Sequence, residues 1–315
     1  MKQTEVLIVG GGPAGASCAW ALRRQGVPCL ILDRMPFPRV KLCAGWIQPE
    51  VMQRLDFTPE TYPGGLLRFD VLKVAVRGIR LPIPTRQYAI RRVEFDHWLL
   101  RRAGVPVEVH HVREIEHTPD GYVVDDTYSG RYLVGAGGTH DPVYRTFFQT
   151  ASPRAPVSLI VTQELEFPYD YADAHCYLWF LEHKLPGYSW YVPKAGGYLN
   201  VGVGGKAEKL RERDDSIKRH WNLLIRKLRR LDLLDDRPLQ PKGHSYYLRQ
   251  DGGLVQLGNA MIIGDAAGLA TVDMGEGIGP AVESGLRAAA AIVSGNAYTV
   301  AGIRKRSMHL SDLRF

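Results

Sequence analysis

Short unbroken apolar runs mark the two ends of this chain, and alternating ones mark its middle. The runs 5–9, apolar after Glu5, and 28–32 have the pattern of strands buried on both faces of a parallel sheet. Between them, residues 14–24 read as a helix. A third buried strand ends at Gly264, and a helix over 280–293 follows it. In the middle, 72–83 predicts two short strands around Gly78, and 157–167 predicts another. Residues 175–181, 188–193 and 198–203 form a meander, with turns at Pro186-Gly187 and Gly196-Gly197. One helix, 215–231, stands among these strands. Its Ile217, Trp221, Leu224, Ile225, Leu228 and Leu231 fall on one face.

The parallel strands at opposite ends of the chain imply a discontinuous domain built from 1–60, 88–150 and 252–294. The strand-rich stretches 61–87 and 151–251 are then an inserted second domain, in which an antiparallel sheet is the natural product. Residues 295–315 make a short tail.

Chemistry enters at the end of the first strand. Gly10-x-Gly12-x-x-Gly15 opens the first helix, with Pro13 and Ala14 inside the motif. Gly10 permits the tight turn, Gly12 lets a pyrophosphate approach the backbone, and Gly15 lets helix and strand pack closely. The helix N-terminus presents free N–H groups to phosphate. The second strand ends at Asp33, where a carboxylate can accept ribose hydroxyls. A tight turn without a ligand would not call for Asp33.

The other end of the chain repeats the theme. Asp265 projects from the strand tip after Gly264, where it can hold ribityl hydroxyls. Gly275, Gly277 and Ile278 then open a helix whose N-terminus can stabilise negative charge on a reduced flavin. The order of the two motifs resembles flavoproteins of the p-hydroxybenzoate hydroxylase type. Gly264-Asp-Ala-Ala-Gly268 with Gly275-Glu-Gly-Ile278 and Ala281-Val-Glu-Ser-Gly285 resembles the geranylgeranyl reductase family of FAD-dependent oxidoreductases. The resemblance implies an α/β fold, with a Rossmann-type FAD-binding domain of the glutathione reductase and p-hydroxybenzoate hydroxylase type. An antiparallel sheet inserted in it would roof the flavin. It also implies that the stretch holding Arg34, Arg39, Lys41, Cys43, Ala44 and Gly45 runs beside the flavin. Arg91, ahead of Phe95, Asp96 and Leu99, would contact the cofactor; a solvated helix start is the plainer reading of that arginine. One departure stands out. Where the family has an Ala-Asp-Gly sequence, this chain has Ala136-Gly137-Gly138. Gly137 takes the acid's place beside the cofactor.

Composition narrows the setting. The 315 residues are 45% hydrophobic, enough for a large core. No apolar run approaches the ~20 residues a bilayer span needs. The first strand begins too early to leave room for a signal peptide. Cys18, Cys29, Cys43 and Cys176 show no metal or CxxC spacing, which fits a cytoplasmic protein. The formal net charge is +7. Part of the excess is the basic face of helix 215–231, with Lys218, Arg219, Arg226, Lys227, Arg229 and Arg230. That helix reads as core-packed with a solvated face, or as a peripheral membrane contact that gathers a lipid. No motif points to nucleic acid.

The substrate side rests on Tyr188, Trp190 and Pro193, followed by Gly202 and Gly204. This run resembles the Tyr-x-Trp, Pro, Gly-x-Gly pattern of geranylgeranyl reductases. Residues 188 and 190 alternate along one strand and share a face. They are either a flat apolar slot for an alkene or ordinary sheet core. Cys43 is a further catalytic candidate, as a thiol near the cationic Lys41, or a small packing residue. The expected function is reduction of double bonds in a prenyl, geranylgeranyl-like or related lipid, by hydride from reduced FAD. The electrons would come from a transient donor, whether NAD(P)H, a ferredoxin or reduced free flavin, because no second dinucleotide motif is present. Residues 188–193 also resemble the Trp-x-Trp-x-Ile-Pro of flavin halogenases, so a flavin-dependent monooxygenase or halogenase is the alternative. A catalytically reduced electron-transfer flavoprotein is the second alternative.

Overall fold

A computed structural model describes residues 1–307, so positions 308–315 of the expected tail lie outside the described residues. The chain divides into two compact units. One comprises Met1–Arg39, Val93–Arg154 and Tyr247–Ser307; the other includes Val40–Arg92 and Ala155–Tyr246. Residues 40–60, expected with the first unit, fall in the second. The strand Trp46–Ile47 explains this, because it pairs with Tyr88 and Ala89.

The first unit is built on a sheet ordered Gln256–Leu257, Ala260–Ile262, Tyr128–Gly135, Lys2–Val9, Cys29–Asp33 and Val107–Val109. All neighbours in that path are parallel except the first pair. The central strands are buried because both faces are apolar: Leu7, Val9, Leu30, Leu32, Leu133 and Ile262 share one core cluster. The helices Pro13–Arg24 and Ile278–Ser294 pack closely. A side chain at Gly285 would collide with the carbonyl oxygen of Ala14.

The second unit holds an eight-stranded sheet ordered Lys242–Tyr247, Leu159–Pro168, Tyr198–Lys206, Gly187–Lys194, Cys176–Phe180, Leu67–Val76, Ile79–Ala89 and Trp46–Ile47. The first strand pair predicted around Gly78 runs longer at both ends. Pro82 and Pro84 are tolerated because Ile79–Ala89 has a second neighbour only at Tyr88 and Ala89, so the prolines lie where a missing N–H costs nothing. The sheet is not wholly antiparallel. Cys176–Phe180 runs parallel to Leu67–Val76, which only a long crossover allows. One face is covered by the helix Ile217–Arg230, capped by Ser216, whose Oγ accepts the Arg219 N–H. Its Trp221, Leu224, Ile225 and Leu228 are buried against Tyr191, Leu199, Val201 and Val203. Those four side chains are therefore consumed by the helix's own sheet, whereas Leu231 at its end stays exposed.

Candidate functional site

In the first unit, the turn after Lys2–Val9 is shaped by what it excludes. Gly10 has φ +111°, and a side chain there would strike the Ala136 carbonyl; one on Gly15 would strike the Gly10 carbonyl. Gly12 differs, because nothing lies within 4 Å of where its β-carbon would be. Gly12 caps the helix without any side-chain hydrogen bond, and Pro13 takes the first helical position. The first turn of the helix thus has no side-chain cap, and the space beside Gly12 is open, as a phosphate-binding helix start requires. Asp33 is buried. Its carboxylate accepts the Gly11 N–H at 2.8 Å, the Met35 N–H at 3.0 Å and Arg39 at 3.2 Å. A carboxylate offers about four acceptor sites, so one remains for a hydroxyl. Arg34 is exposed beyond it.

The second motif arrives at the same helix. Gly264 has φ +59°, and a β-carbon there would stand 3.0 Å from that of Ala14. Its N–H donates to Ser284 Oγ at 2.9 Å, which ties the strand tip to the last helix. The Asp265 side chain makes no hydrogen bond among the described residues. A β-carbon on Gly277 would lie 3.3 Å from its Oδ1, so the carboxylate needs Gly277 to be small. Glu276 braces the loop from Gly275 (φ +62°) to Ile278. Its N–H donates to Thr271 Oγ1 at 3.0 Å, and its carboxylate accepts the Gly279 N–H at 3.3 Å and the Ser307 hydroxyl at 3.1 Å. Burial raises the Glu276 pKa.

The segment around Gly137 carries an acid after all, supplied from further along the chain. Asp141 is fully buried and accepts the N–H groups of Gly137 and Tyr144, each at 2.7 Å. A β-carbon on Gly137 would stand 2.8 Å from Asp141 Oδ2. Burial pushes the Asp141 carboxyl up to about 6, against the pull of those hydrogen bonds and of Arg154. Arg154 donates to the carbonyls of Thr139 and Ala266, at 2.6 and 2.5 Å, and lies 3.6 Å over the Tyr144 ring. It bolts the Gly137 turn to the Asp265 turn. Sequence reasoning missed both residues; the signal was an acid before Pro142, closing a Gly-Gly turn.

The remaining expected residues lie in the second unit. Lys41 Nζ is 2.6 Å from His244 Nε2. Cys43 is half-buried, with Sγ accepting the Gly45 N–H at 3.3 Å. Ala44 is half-buried. Gly45, at φ +71°, has no room for a side chain against the Ile90 carbonyl and Lys194 Nζ. Arg91 is committed to Glu166 at 3.0 Å and stacks 3.4 Å over Tyr198. Tyr188 and Trp190 share a sheet face, their ring centroids 5.6 Å apart. Trp190 is buried, and its ring occupies the space above Gly202. Its Nε1 donates to Asn200 Oδ1 at 2.7 Å, and Asn200 Nδ2 donates to the Cys43 carbonyl at 3.3 Å. Burial holds the Tyr188 phenol well above its ordinary pKa.

Residues 3–58 match the family model of an FAD binding domain. Digeranylgeranylglycerophospholipid reductase 2 of Methanopyrus kandleri is 28% identical over 64% of this chain and 54% of its own length. The chain thus spans about half of that relative. Menaquinone reductase of Mycobacterium tuberculosis is 29% identical over 90% of this chain and 75% of its own. A geranylgeranyl bacteriochlorophyll reductase-like protein from Thermoplasma acidophilum superposes with a TM-score of 0.80 at 20% identity, over 94% of this chain and 79% of its own. A flavin-dependent brominase superposes at 0.72 and 19% identity, over 97% and 81%. At such identities the structural likeness shows the fold, which is that of the p-hydroxybenzoate hydroxylase type of flavoprotein.

The chain carries an FAD-binding domain and is similar to the geranylgeranyl reductases.

The flavoprotein's first unit fits its cofactor. The open ground at Gly12 would take the pyrophosphate, the spare acceptor on Asp33 a ribose hydroxyl, and the unpartnered Asp265 carboxylate the ribityl chain. The residues that sequence reasoning did not reach are the braces: Asp141, Arg154, Glu276 and Ser284 in the first unit, and Asn200, Lys194 and Glu164 in the second.

Proposed function

We propose that this flavoprotein reduces carbon–carbon double bonds in a prenyl or related lipid. The observation that carries the reading is the aromatic face of the strand Gly187–Lys194, where Tyr188 and Trp190 stand side by side above glycines. The names of the relatives above support it. Reduced FAD supplies the hydride when bound. The chain's own work is alignment and dryness. Asn200 orients the Trp190 indole by accepting its N–H. Rigid alignment matters for an isolated alkene, which is a poor hydride acceptor. Cys43 lies within the same network through its carbonyl, and Tyr188 presents a phenol that stays neutral. The reductant that recharges FAD is a transient visitor: NAD(P)H, a ferredoxin or reduced flavin. Contact with a lipid surface falls to exposed Ile79, Leu81, Leu181 and Leu231, flanked by Arg77, Arg80 and Arg230.

A flavin-dependent halogenase or monooxygenase is the second reading. It is favoured by the Tyr-x-Trp-x-Val-Pro run of 188–193 and by the brominase-like fold. One experiment separates the two. The FAD-loaded protein is reduced without oxygen and offered a panel of prenyl lipids, prenylquinones, and aromatic compounds with bromide. Reoxidation of the flavin by a prenylated compound under strict anaerobiosis supports the reductase. Turnover only after oxygen is admitted, with hydroxylated or brominated product, supports the second reading.

A further inference from the structure

The second unit's sheet carries a cavity on the face turned away from Tyr188 and Trp190. Strand register builds it. Trp179 pairs with Ala75, and Ala75 with Arg80, across three neighbouring strands. Tyr177 pairs with Lys73 in the same way, and Lys73 with Pro82. Paired residues share a sheet face, as do residues two apart along a strand, so both rows face one way. Tyr191, opposite Tyr177, joins them, while Tyr188 and Trp190 alternate to the other side. Ala75 is the small member of its row, between an indole and a guanidinium. The cavity over it measures about 780 Å³ and is closed on the far side by Lys227, Arg230 and Leu231, at the end of the helix Ile217–Arg230. All its lining residues belong to the second unit. Sites for small molecules typically span about 300–1,000 Å³.

The floor is aromatic. Tyr177 and Trp179 are stacked with ring centroids 5.4 Å apart. The two lysines are engaged. Lys73 Nζ lies 4.8 Å from the Tyr177 centroid and donates to Asp173 at 3.2 Å. Lys227 Nζ lies 4.5 Å from the Trp179 centroid and donates to both oxygens of Glu182 at 2.6 Å. The arginines are not engaged: the guanidinium groups of Arg80 and Arg230 make no hydrogen bond or ion pair among the described residues. Both stand near enough to Lys227 to lower its pKa, together with burial and against Glu182. Asp170 and Asp232 also line the cavity, but both are exposed and neither forms an ion pair with an arginine. Arg80 and Arg230 therefore bring positive charge beyond what Glu182 neutralises.

Leu81 and Leu231 line the cavity and are also 48% and 39% exposed, so its mouth opens beside them. Arg80 and Arg230 immediately precede these leucines and are exposed too. The mouth thus combines apolar side chains with guanidinium groups whose planar fork matches phosphate oxygens. Trp179, at 5% exposed, lies well inside. A molecule with one anionic head and one apolar chain satisfies both ends. We propose that this cavity binds a single-chain anionic amphiphile of the phosphate-monoester kind, its head at Arg80 and Arg230 and its chain over Ala75 against Trp179. The site is independent of the reaction that the flavin performs.

Calorimetric titration of the FAD-loaded protein with monododecyl phosphate, below its critical micelle concentration, tests this. The protein should bind it saturably, and bind inorganic phosphate or dodecanol at least about tenfold more weakly, because neither engages both ends. The double variant Arg80→Gln, Arg230→Gln should lose about tenfold or more in affinity for the phosphate ester and none for dodecanol. Ala75→Leu fills the middle of the row and should abolish binding. FAD content and melting temperature show whether that variant folds; the two arginines are exposed, so their variant keeps the test open if Ala75→Leu does not. Unchanged affinity in the arginine variant, or in folded Ala75→Leu, overturns the inference. Inorganic phosphate bound as tightly as the ester would mean a plain anion site, and dodecanol bound as tightly would mean an apolar pocket with no head recognition; either overturns it. So does a protein that ignores the monomeric ester yet binds vesicles of phosphatidylglycerol, which would make this face a membrane contact alone.

Discussion

A β-carbon on Gly264 would stand 3.0 Å from the β-carbon of Ala14, so two motifs separated by most of the chain are pressed together with no room to spare. Gly285 repeats the constraint one helix later, against the Ala14 carbonyl. The glycines of this site therefore do two different jobs, and substitutions tell them apart. Gly15→Val should cost fold as well as cofactor, because the new side chain strikes the Gly10 carbonyl. Overpacking of this kind typically costs about 1–3 kcal/mol or more. Gly12→Val should leave the melting temperature of the apoprotein near that of wild type and abolish FAD binding, because its side chain fills only the space the pyrophosphate needs. Calorimetry of both apoproteins with FAD titration checks the pair. Equal FAD affinity in Gly12→Val would remove the pyrophosphate from that turn.

Asp265→Ala is the cleanest test of the ribityl assignment. The carboxylate makes no hydrogen bond that the apoprotein would miss. A charged hydrogen bond contributes roughly 1.5–3 kcal/mol, so FAD should dissociate about one to two decades more readily, with apoprotein stability unchanged. Flavin fluorescence on dilution reads it. Undiminished retention of FAD would place the ribityl chain elsewhere.

Asp141 gives a pH signature in the first unit. Its folded pKa is raised to about 6 from an ordinary value of 3.8, by burial first. A raised acid contributes stability that is fully present below the unfolded pKa and lost as pH rises through the folded one. The stability margin of wild type over Asp141→Asn should therefore shrink between about pH 4 and pH 6. The upper limit is about 3 kcal/mol, from roughly two pKa units. Urea unfolding of both proteins across that range checks it. A margin that widens with pH would mean that the hydrogen bonds from Gly137 and Tyr144 outweigh burial.

Trp190 is both wall and core. It is 4% exposed and bonded to Asn200, so Trp190→Ala should cost about 3–5 kcal/mol and confound any activity measurement. Trp190→Phe keeps most of the apolar volume and loses the Asn200 bond. It should hold FAD and fold with a loss of about 1 kcal/mol, while reoxidation of reduced flavin by substrate slows on the order of 100-fold. Normal turnover in Trp190→Phe would separate this tryptophan from the alkene.

What the sequence made legible was local. Gly10, Gly12, Gly15 and Asp33 lie within one strand–helix–strand unit, where short-range spacing fixes geometry. The strand bearing Tyr188 and Trp190 was readable from its alternation, and helix 215–231 from its apolar face. The braces were not: Arg154, Ser284, Lys194 and Asn200 depend on partners distant in sequence, and Asp141 and Glu276 on turns whose geometry the residue types alone do not fix. Glu164 and Glu166 look alike on one strand, yet Glu166 pairs with Arg91 while Glu164 stands over Gly202. Only the register of three strands tells them apart. Arg154 reads as a loop arginine until the carbonyls of Thr139 and Ala266 converge on it. Asp141 supplies an acid that the alignment of motifs assigned to position 137, because a turn can bring a carboxylate back as well as a strand can carry one. The parallel pairing of Cys176–Phe180 escaped for a related reason: the crossover that permits it runs through the other unit's sequence.

Under the proposed function, FAD in this protein hands its electrons to a carbon–carbon double bond. The most direct measurement is a single anaerobic turnover: photoreduced, FAD-loaded protein mixed with geranylgeranyl diphosphate, with the flavin spectrum followed and the product weighed by mass spectrometry. A reductase should regain the oxidised flavin spectrum in the absence of oxygen, and its lipid should gain one molecule of hydrogen for each flavin oxidised. Flavin that stays reduced until air is admitted, with the lipid mass unchanged, would contradict it.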